Sequence, residues 1–306
     1  MKKIVVVGSI NMDLVIKTDR IPQLGETIVG RDFSTIPGGK GANQATAAAR
    51  TGCTVEMIGA VGNDIYGKQL LETMASNHIG TKGVRTVDVS SGIAVITVYE
   101  GNNFIITDTG ANGLVTYDWI EENRSIIESA DIVVFQFEIP MDTIVKTAKL
   151  AHELGKFVIV NPAPAKEFPK ELCAYADIMI PNETEAELIL GVKLNTIEDA
   201  KDAILKMYDL GVKHPIITLG VQGCVYGEDG IAKHMPAFVV KAVDSTGAGD
   251  SFIGGICKGL SEGKTLTECL AYARGVSALS VSRFGATASF PYEAEVAEFI
   301  AAQEAK

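Results

Sequence analysis

Short runs rich in Val and Ile recur along the chain, at 4–10, 54–59, 131–136, 157–160, 177–181 and 214–219, and a segment of helical character follows each. Continuous apolar strands alternating with helices predict a mostly parallel sheet covered on both faces, because a strand buried on both sides has no polar face to alternate with. Within 141–154, Met141, Ile144, Val145, Ala148 and Leu154 recur at helical spacing, and 265–282 carries a similar stripe of small and apolar residues. The run 238–243 reads as a further strand and 250–257 as the opening of a helix.

Two regions break the alternation and predict antiparallel hairpins instead of crossovers. In 12–36 the chain runs out through Asp13-Leu14-Val15-Ile16-Lys17 and returns through Glu26-Thr27-Ile28-Val29-Gly30. In 92–109 the runs 92–99 and 104–108 flank the turn Glu100-Gly101-Asn102-Asn103. Together they are expected to form a small sheet that acts as a lid over the ends of the main strands, with exposed edges that favour a homodimer. The expected architecture is one doubly wound α/β domain over 1–306, helices on both faces, with the lid at about 12–36 and 92–109.

Composition narrows the partners. The chain has 306 residues, 47% hydrophobic and 21% charged, a balance that supports a large core and fits a soluble globular protein. A net charge of −11 argues against a nucleic-acid face, which needs a basic stripe to displace counterions from phosphates. Any anionic ligand must then be held by local features. Cys53, Cys173, Cys224, Cys257 and Cys269 are odd in number and never form a C-x-x-C pair, which suits a reducing cytoplasm better than a disulfide framework or a zinc ribbon. The apolar run after Lys3 ends after four or five residues without a small-residue cleavage site, so it reads as a first buried strand and not as a signal peptide. No stretch approaches the ~18–20 apolar residues of a bilayer span, and no membrane partner is expected. His78, His152, His214 and His234 show no metal-ligand spacing, and Trp119 takes an ordinary place on a helix face.

The candidate chemistry lies in short polar segments. Ser245-Thr246-Gly247-Ala248-Gly249 precedes the predicted helix at Asp250, and its lack of bulk lets backbone N–H groups approach an anion at the helix N-terminus. It is not a Rossmann fingerprint, because Phe252 stands where the third glycine belongs, nor a Walker A loop, because no Gly-Lys-Ser/Thr follows. Asp250 by position alone is either an acidic residue in a first helical turn or a base beside a phosphoryl site. Asn11 and Asp13 end the first strand two residues apart, facing the same way; they could grip vicinal hydroxyls, although taken alone a turn with Asx hydrogen bonds is the commoner use of such a pair. Pro37-Gly38-Gly39-Lys40-Gly41-Ala42-Asn43-Gln44-Ala45 admits close approach of a polar ligand, or is a helix cap with a solvated lysine. Glu138 opens a helix after the run 131–136. Asn182 with Glu185 forms a capping box, which needs no ligand, although a carboxylate there also suits hydrated Mg²⁺. The segment Thr218-Leu219-Gly220-Val221-Gln222-Gly223 is by composition a plain turn.

Five of these segments, G-S-I-N-M-D (8–13), G-G-K-G-A-N-Q-A (38–45), N-P-A-P-A (161–165), P-N-E-T-E-A-E (181–187) and V-D-S-T-G-A-G-D (243–250), resemble in content and order the motifs of the ribokinase-like carbohydrate kinases. The resemblance spans Gly8 to Ser289, with Ser245 where the family more usually carries Thr. It implies that Asp250 is the catalytic base and that Gly247, Ala248 and Gly249 form an anion hole. Asn11, Asp13, Gly39, Lys40, Asn43 and Glu138 are then implied to hold the sugar, with Asp250 beside it. Asn182, Glu185, Thr218, Gly220, Gly223 and Gly249 are implied at the ATP and Mg²⁺ end, Glu185 acting through water. Asp244, Thr246, Ser280, Arg283, Gly285 and Ser289 match the segments that bind a monovalent cation, K⁺, in the family. The implied reaction is ATP-dependent phosphorylation of D-ribose at its 5-hydroxyl. Another acceptor (2-deoxyribose, fructose or an adenosine-like nucleoside) is the nearest alternative. A non-catalytic sensor would be marked by loss of Asp250 or of the 247–249 turn, and both are present.

Overall fold

The computed structural model describes residues 1–100 and 102–305. The strands in chain order are β1 (Lys3–Val7), β2 (Asn11–Lys17), β3 (Arg31–Gly38), β4 (Thr54–Gly62), β5 (Gly80–Val87), β6 (Gly92–Tyr99) and β7 (Asn102–Asp108). They continue with β8 (Ile132–Phe135), β9 (Phe157–Val160), β10 (Ile178–Met179), β11 (His214–Thr218), β12 (Cys224–Glu228) and β13 (Ile231–Met235). The helices are α1 (Lys40–Arg50), α2 (Ile65–Ser76), α3 (Tyr117–Glu122), α4 (Arg124–Glu128), α5 (Met141–Glu153) and α6 (Leu172–Tyr175). After them come α7 (Glu183–Leu190), α8 (Ile197–Asp209), α9 (Ala248–Ser261), α10 (Leu266–Val281) and α11 (Glu293–Glu304).

The larger sheet has the order β13-β12-β11-β10-β9-β8-β1-β4-β5. Pairing is parallel from β5 through to β11, and β12 and β13 close the far edge antiparallel. Winding reverses beside β1, which lies between β4 and β8. Such a reversal opens a crevice at the carboxyl ends of the strands, where open α/β sheets bind ligands.

Strand geometry explains the unbroken apolar runs. Successive side chains point to opposite faces, so Val5, Val7, Val133, Phe135, Val158 and Val160 enter one core layer with Ile144, Ala148 and Ile204 of α5 and α8. Ile4, Val6, Ile132, Val134, Ile159 and Ile216 enter the other, with Ala45 of α1 and Ile253, Ile256 and Ala273 of α9 and α10. Helix starts follow local side-chain chemistry. Capping boxes join Asn182 to Glu185, Thr196 to Asp199 and Thr265 to Glu268, at the heads of α7, α8 and α10. On one face α1, α9 and α10 approach closely through small residues: a Cβ placed on Gly254 would lie 2.5 Å from that of Ala47, and one on Gly255 2.6 Å from the Ala273 Cα.

The smaller sheet has the order β3-β2-β6-β7. The two expected hairpins are both present, and they join through a parallel β2–β6 ladder. The first apolar run therefore divides. β1 stops at Val7, the chain turns out of the large sheet through Gly8-Ser9-Ile10, and Asn11 begins the lid.

Three expectations about elements need correction. The return strand is Arg31–Gly38 and not 26–30, because the ladder pairs Asn11 with Gly38 and Lys17 with Arg31; Glu26 belongs to the preceding connection, where it pairs with Arg20. The turn expected over 100–103 is shorter, since Tyr99 already pairs with Asn102; Gly101 lies outside the described residues. The run 238–243 is not a strand. It crosses the helical layer, where Phe238 meets Phe299 edge-on and carries the Arg274 guanidinium, while Val239 is 96% exposed. A run of β-formers becomes a strand only where a sheet edge offers it a partner.

Among the described residues, no group of three or more His, Cys, Asp and Glu side chains gathers in a metal-holding arrangement. The Trp119 indole N–H on α3 donates to the Gly83 carbonyl (3.1 Å), consistent with a packing role.

Candidate active site

Asp250 lies in the first turn of α9, with 6% of its surface exposed. The turn before it depends on Gly247, whose φ of 75° is left-handed. A Cβ at Gly247 would also approach the Phe290 ring to 3.0 Å. No side chain caps α9, and a helix N-terminus carries N–H groups without intrahelical acceptors. The Ala248 N–H turns inward to Ser245 O (3.1 Å). Above Gly249 nothing lies within 4 Å of where a Cβ would stand. This is an open, positively polarised helix end with a carboxylate beside it.

Two amides hold that carboxylate. Asn43 Nδ2 donates to Oδ2 (3.0 Å) and Gln44 Nε2 to Oδ1 (2.9 Å). Gln44 is itself fixed from behind: it also donates to Asn161 Oδ1 (3.0 Å) and accepts from Gln136 Nε2 (2.7 Å). Asn161 in turn donates to Ile180 O (2.8 Å). A ladder of buried amides thus runs from α1 across the ends of β8, β9 and β10. Gln44 and Asn161 stood within recognised motifs without an assigned role, and Gln136 was assigned none. Their signal is a polar amide at the edge of an apolar run, where burial obliges it to find partners.

Burial raises the Asp250 carboxyl above its ordinary range, while the nearby Lys40 ammonium and the two amides pull the other way and Glu138 adds to the rise. Lys40 is half-buried. Desolvation works against its charge, yet Asp250, Glu138 and Glu185 together hold its ammonium above the usual value. Asp13 is pushed up to about 7 by burial, by Glu138 and by Asp250, in that order. Burial also raises Glu185, against the Asn182 N–H and Lys40. Three carboxylates, those of Asp250, Glu138 and Glu185, thus share the field of one lysine.

At the sugar end, Asn11 and Asp13 lie on β2, a lid strand. Asn11 Oδ1 accepts from Asn112 Nδ2 (2.6 Å), and Asn112 Oδ1 accepts from the Ile10 N–H (2.9 Å). Asn112 and Ser9 had no assigned role. The Gly39 φ of 87° brings the chain against β2, where a Cβ would stand 2.7 Å from the Asn11 nitrogen. Glu138 accepts from Ser9 Oγ (2.5 Å) and from the Lys40 N–H (3.1 Å), which locks the loop after β8 to the head of α1. The Asn43 Oδ1 is buried without a hydrogen-bond partner, an acceptor available to a hydroxyl.

At the opposite end, Asn182 caps α7 while Glu185 Oε2 accepts the Asn182 N–H (2.9 Å). Asn182 bridges to Thr218, so the ends of β10 and β11 adjoin. Gly220 (φ 51°) faces open space, whereas Gly223 (φ 91°) is pressed against the Met235 carbonyl and belongs to the turn itself. Behind α9, the Asp244 carboxylate accepts from the Thr246 N–H (2.9 Å), the Thr246 hydroxyl (2.7 Å) and the Gly285 N–H (3.0 Å). These bonds prevail over partial burial and hold its carboxyl below the ordinary range. The Ser280 and Ser289 hydroxyls meet at 2.8 Å, both fully buried. The Arg283 side chain departs from this group to pair with Glu295 (2.6 Å), which leaves only its backbone for any ligand.

Comparison with known proteins places the fold and the family. The family model described as pfkB family carbohydrate kinase matches residues 1–293. The ribokinase of Lactococcus lactis is 39% identical over 97% of this chain and 96% of its own length. The solved ribokinase of Thermotoga maritima has a TM-score of 0.90 at 37% identity, covering 98% of this chain and 100% of its own. That of Arabidopsis thaliana, complexed with ribose and ATP, has a TM-score of 0.91 at 32% identity, covering 98% of both chains. With the family model matched over residues 1–293, the same fold and near-complete coverage by relatives of 37–39% identity, the chain belongs to the pfkB family of carbohydrate kinases.

Proposed function

We propose that this chain is an ATP-dependent ribokinase, transferring the γ-phosphoryl group of ATP to the 5-hydroxyl of D-ribose to give ribose 5-phosphate and ADP. The observation that carries it is the pairing of a buried, amide-held carboxylate with an uncapped helix N-terminus at the crevice beside β1. Relatives named ribokinase across nearly the whole chain, one solved with ribose and ATP, support the acceptor and the donor.

Asp250 takes the 5-hydroxyl proton as the new O–P bond forms, since a carboxylate is too weak to ionise an alcohol beforehand. The bond from the γ-phosphorus to the β,γ-bridging oxygen breaks and ADP leaves. The N–H groups at Gly249 and Asp250, with the N-terminus of α9, stabilise the charge on the transferring phosphoryl oxygens. Asn43 and Gln44 orient the carboxylate so that one of its oxygens faces the acceptor. Asn11, Asp13, Gly39, Lys40, Asn43 and Glu138 hold the sugar; the unpartnered Asn43 Oδ1 suits a hydroxyl donor. Asn182, Thr218 and Gly220 border the nucleotide end, with Gly223 shaping the turn.

Carboxylates outnumber cationic side chains here, so polyphosphate needs cations brought with it. Glu185 retains an oxygen not used by its cap and fits hydrated Mg²⁺, which supplies charge neutralisation of the phosphates. Asp244, Thr246, Ser280, Gly285 and Ser289 with the Arg283 carbonyl provide hard oxygen donors of the kind K⁺ takes. Residues 1–306 act as one domain that includes the lid. On the lid, β7 is exposed along its length and Ile106 is 74% exposed with Ile105 and Phe104 beside it; a second copy of the chain covers this face in a homodimer. All five cysteines are buried and unbridged, and among the described residues no helix is long and apolar enough to cross a membrane. A reducing cytoplasm suits such a chain.

In an assay of ADP release from ribose, ATP and Mg²⁺, Asp250→Asn is expected to lower kcat about 10²-fold or more with the circular-dichroism spectrum unchanged. Near-normal turnover would refute the base, and a wild type that forms no ADP with ribose would refute the acceptor. Replacing K⁺ by Na⁺ is expected to reduce activity; equal rates over a broad concentration range would remove the cation role. Because the folded pKa of Asp13 is near 7 and its unfolded value is about 3.9, the unfolded chain releases this proton first. Asp13 therefore erodes stability as pH rises from about 4 to 7. Asp13→Asn should gain in urea midpoint relative to wild type across that window, and a difference that stays constant with pH would disprove the shift. Light scattering is expected to give twice the chain mass, falling to one when Ile106 is replaced by Glu; a monomeric wild type would exclude the lid interface.

A further inference from the structure

The loop 285–290 touches the turn before α9, helix α1 and strand β3. The Gly285 N–H donates to Asp244, and Ala286 and Phe290 lie against the left-handed Gly247 that opens the α9 turn. Ala286 and Phe290 also pack on Ala47 of α1. From the end of α1, Arg50 Nη1 donates to the carbonyls of Thr287 (2.5 Å) and Phe290 (3.0 Å), while its guanidinium stacks on the Tyr292 ring. The loop is thus anchored as a rigid piece behind the phosphoryl site. One further bond leaves it in the opposite direction: Thr287 Oγ1 donates to the Pro37 carbonyl (3.2 Å).

Pro37 lies on β3 opposite Met12, one residue before the Gly38-Gly39-Lys40 stretch of the sugar end. Between this end of the lid and α2 is an open, solvent-facing groove of about 460 Å³, lined by Met12, Thr35, Pro37, Gln69 and Thr73 among others. Apolar packing therefore does not pin β3 against α2 at this point. The buried Thr287 hydroxyl reaches across from the anchored loop and fixes the Pro37 carbonyl instead.

We propose that Thr287 is a positioning residue that couples the two substrate ends, transmitting the position of the sugar-binding segment to the turn that precedes Asp250. Ribose held by Gly39, Lys40 and Asn43 draws on the arrangement of β3 and the head of α1. Nucleotide phosphates at the α9 N-terminus draw on the arrangement of Gly247, which the 285–290 loop supports. With the hydroxyl bond in place, either ligand stabilises the arrangement that the other requires, and the effect is reciprocal. The coupling rests on the ribose and ATP reading of the two ends.

The test is calorimetric titration of ribose into the whole protein, without nucleotide and with a non-hydrolysable ATP analogue plus Mg²⁺, at constant K⁺ and ionic strength. Wild type should bind ribose about fivefold or more tightly when the analogue is present, the lower range of measured couplings. Thr287→Val keeps the shape and removes the donor; it should bring that ratio to about one while binding of ribose alone changes little. Thr287→Ser restores the hydroxyl and should restore the ratio. A wild type that binds neither ligand would overturn the ribose and ATP reading. A wild type that binds both without coupling, or a Thr287→Val protein that keeps the wild-type ratio, would overturn the role of Thr287 alone.

Discussion

Holding a carboxylate out of water with enough partners to bear its charge is the constraint on which this site is built. Desolvation raises the Asp250 carboxyl above its ordinary range, and an unpaired buried charge is among the costliest features a fold can carry. The Lys40 ammonium, the Asn43 and Gln44 amides and the helix N-terminus counter that tendency from different directions. Each amide then needs fixing in its turn, so Gln136 and Asn161 are buried behind Gln44. The requirements converge at the carboxyl ends of the central strands, where helix N-termini and strand ends lie close enough to supply donors without side chains crossing the core.

The same constraint explains the close approach of backbones around α1. Its head must stand within hydrogen-bond reach of both Glu138 and Asp250, and it does so because Gly39 takes a left-handed turn against β2 and because Gly254 of α9 leaves room for Ala47. The side chains proposed to hold the sugar are divided between two bodies of structure. Asn11 and Asp13 ride on the lid, while Lys40, Asn43, Glu138 and Asp250 belong to the large sheet and its helices. A ligand that touches both sets joins them.

Asp13 shows how electrostatic cost is distributed. Burial first, and then Glu138 and Asp250 across the crevice, push its carboxyl up to about 7, a cost that hydroxyl donors would relieve. Asp244 lies in the contrary situation, because three donors satisfy it and keep it ionised. Asp13 and Asp244 are thus shifted in opposite directions by their neighbours, as expected when desolvation and hydrogen bonding compete.

Local patterns determined much of this protein. The period-two burial of Val5 and Val7 against Ile4 and Val6, the capping box of Asn182 and Glu185, and the glycine turn before Asp250 are all short-range features, legible because strand pleat, helix capping and backbone freedom each act within a few residues. The ordered motifs identified the family for the same reason, as each is a contiguous segment. Pairing and distance were decided only by the tertiary structure. The register that made Arg31–Gly38 the lid strand, the departure of 238–243 to the helical layer, and the amide ladder through Gln44, Gln136 and Asn161 all depend on residues far apart in the chain. A β-forming run or a buried amide declares what it needs; which partner meets that need depends on the packing of the whole chain.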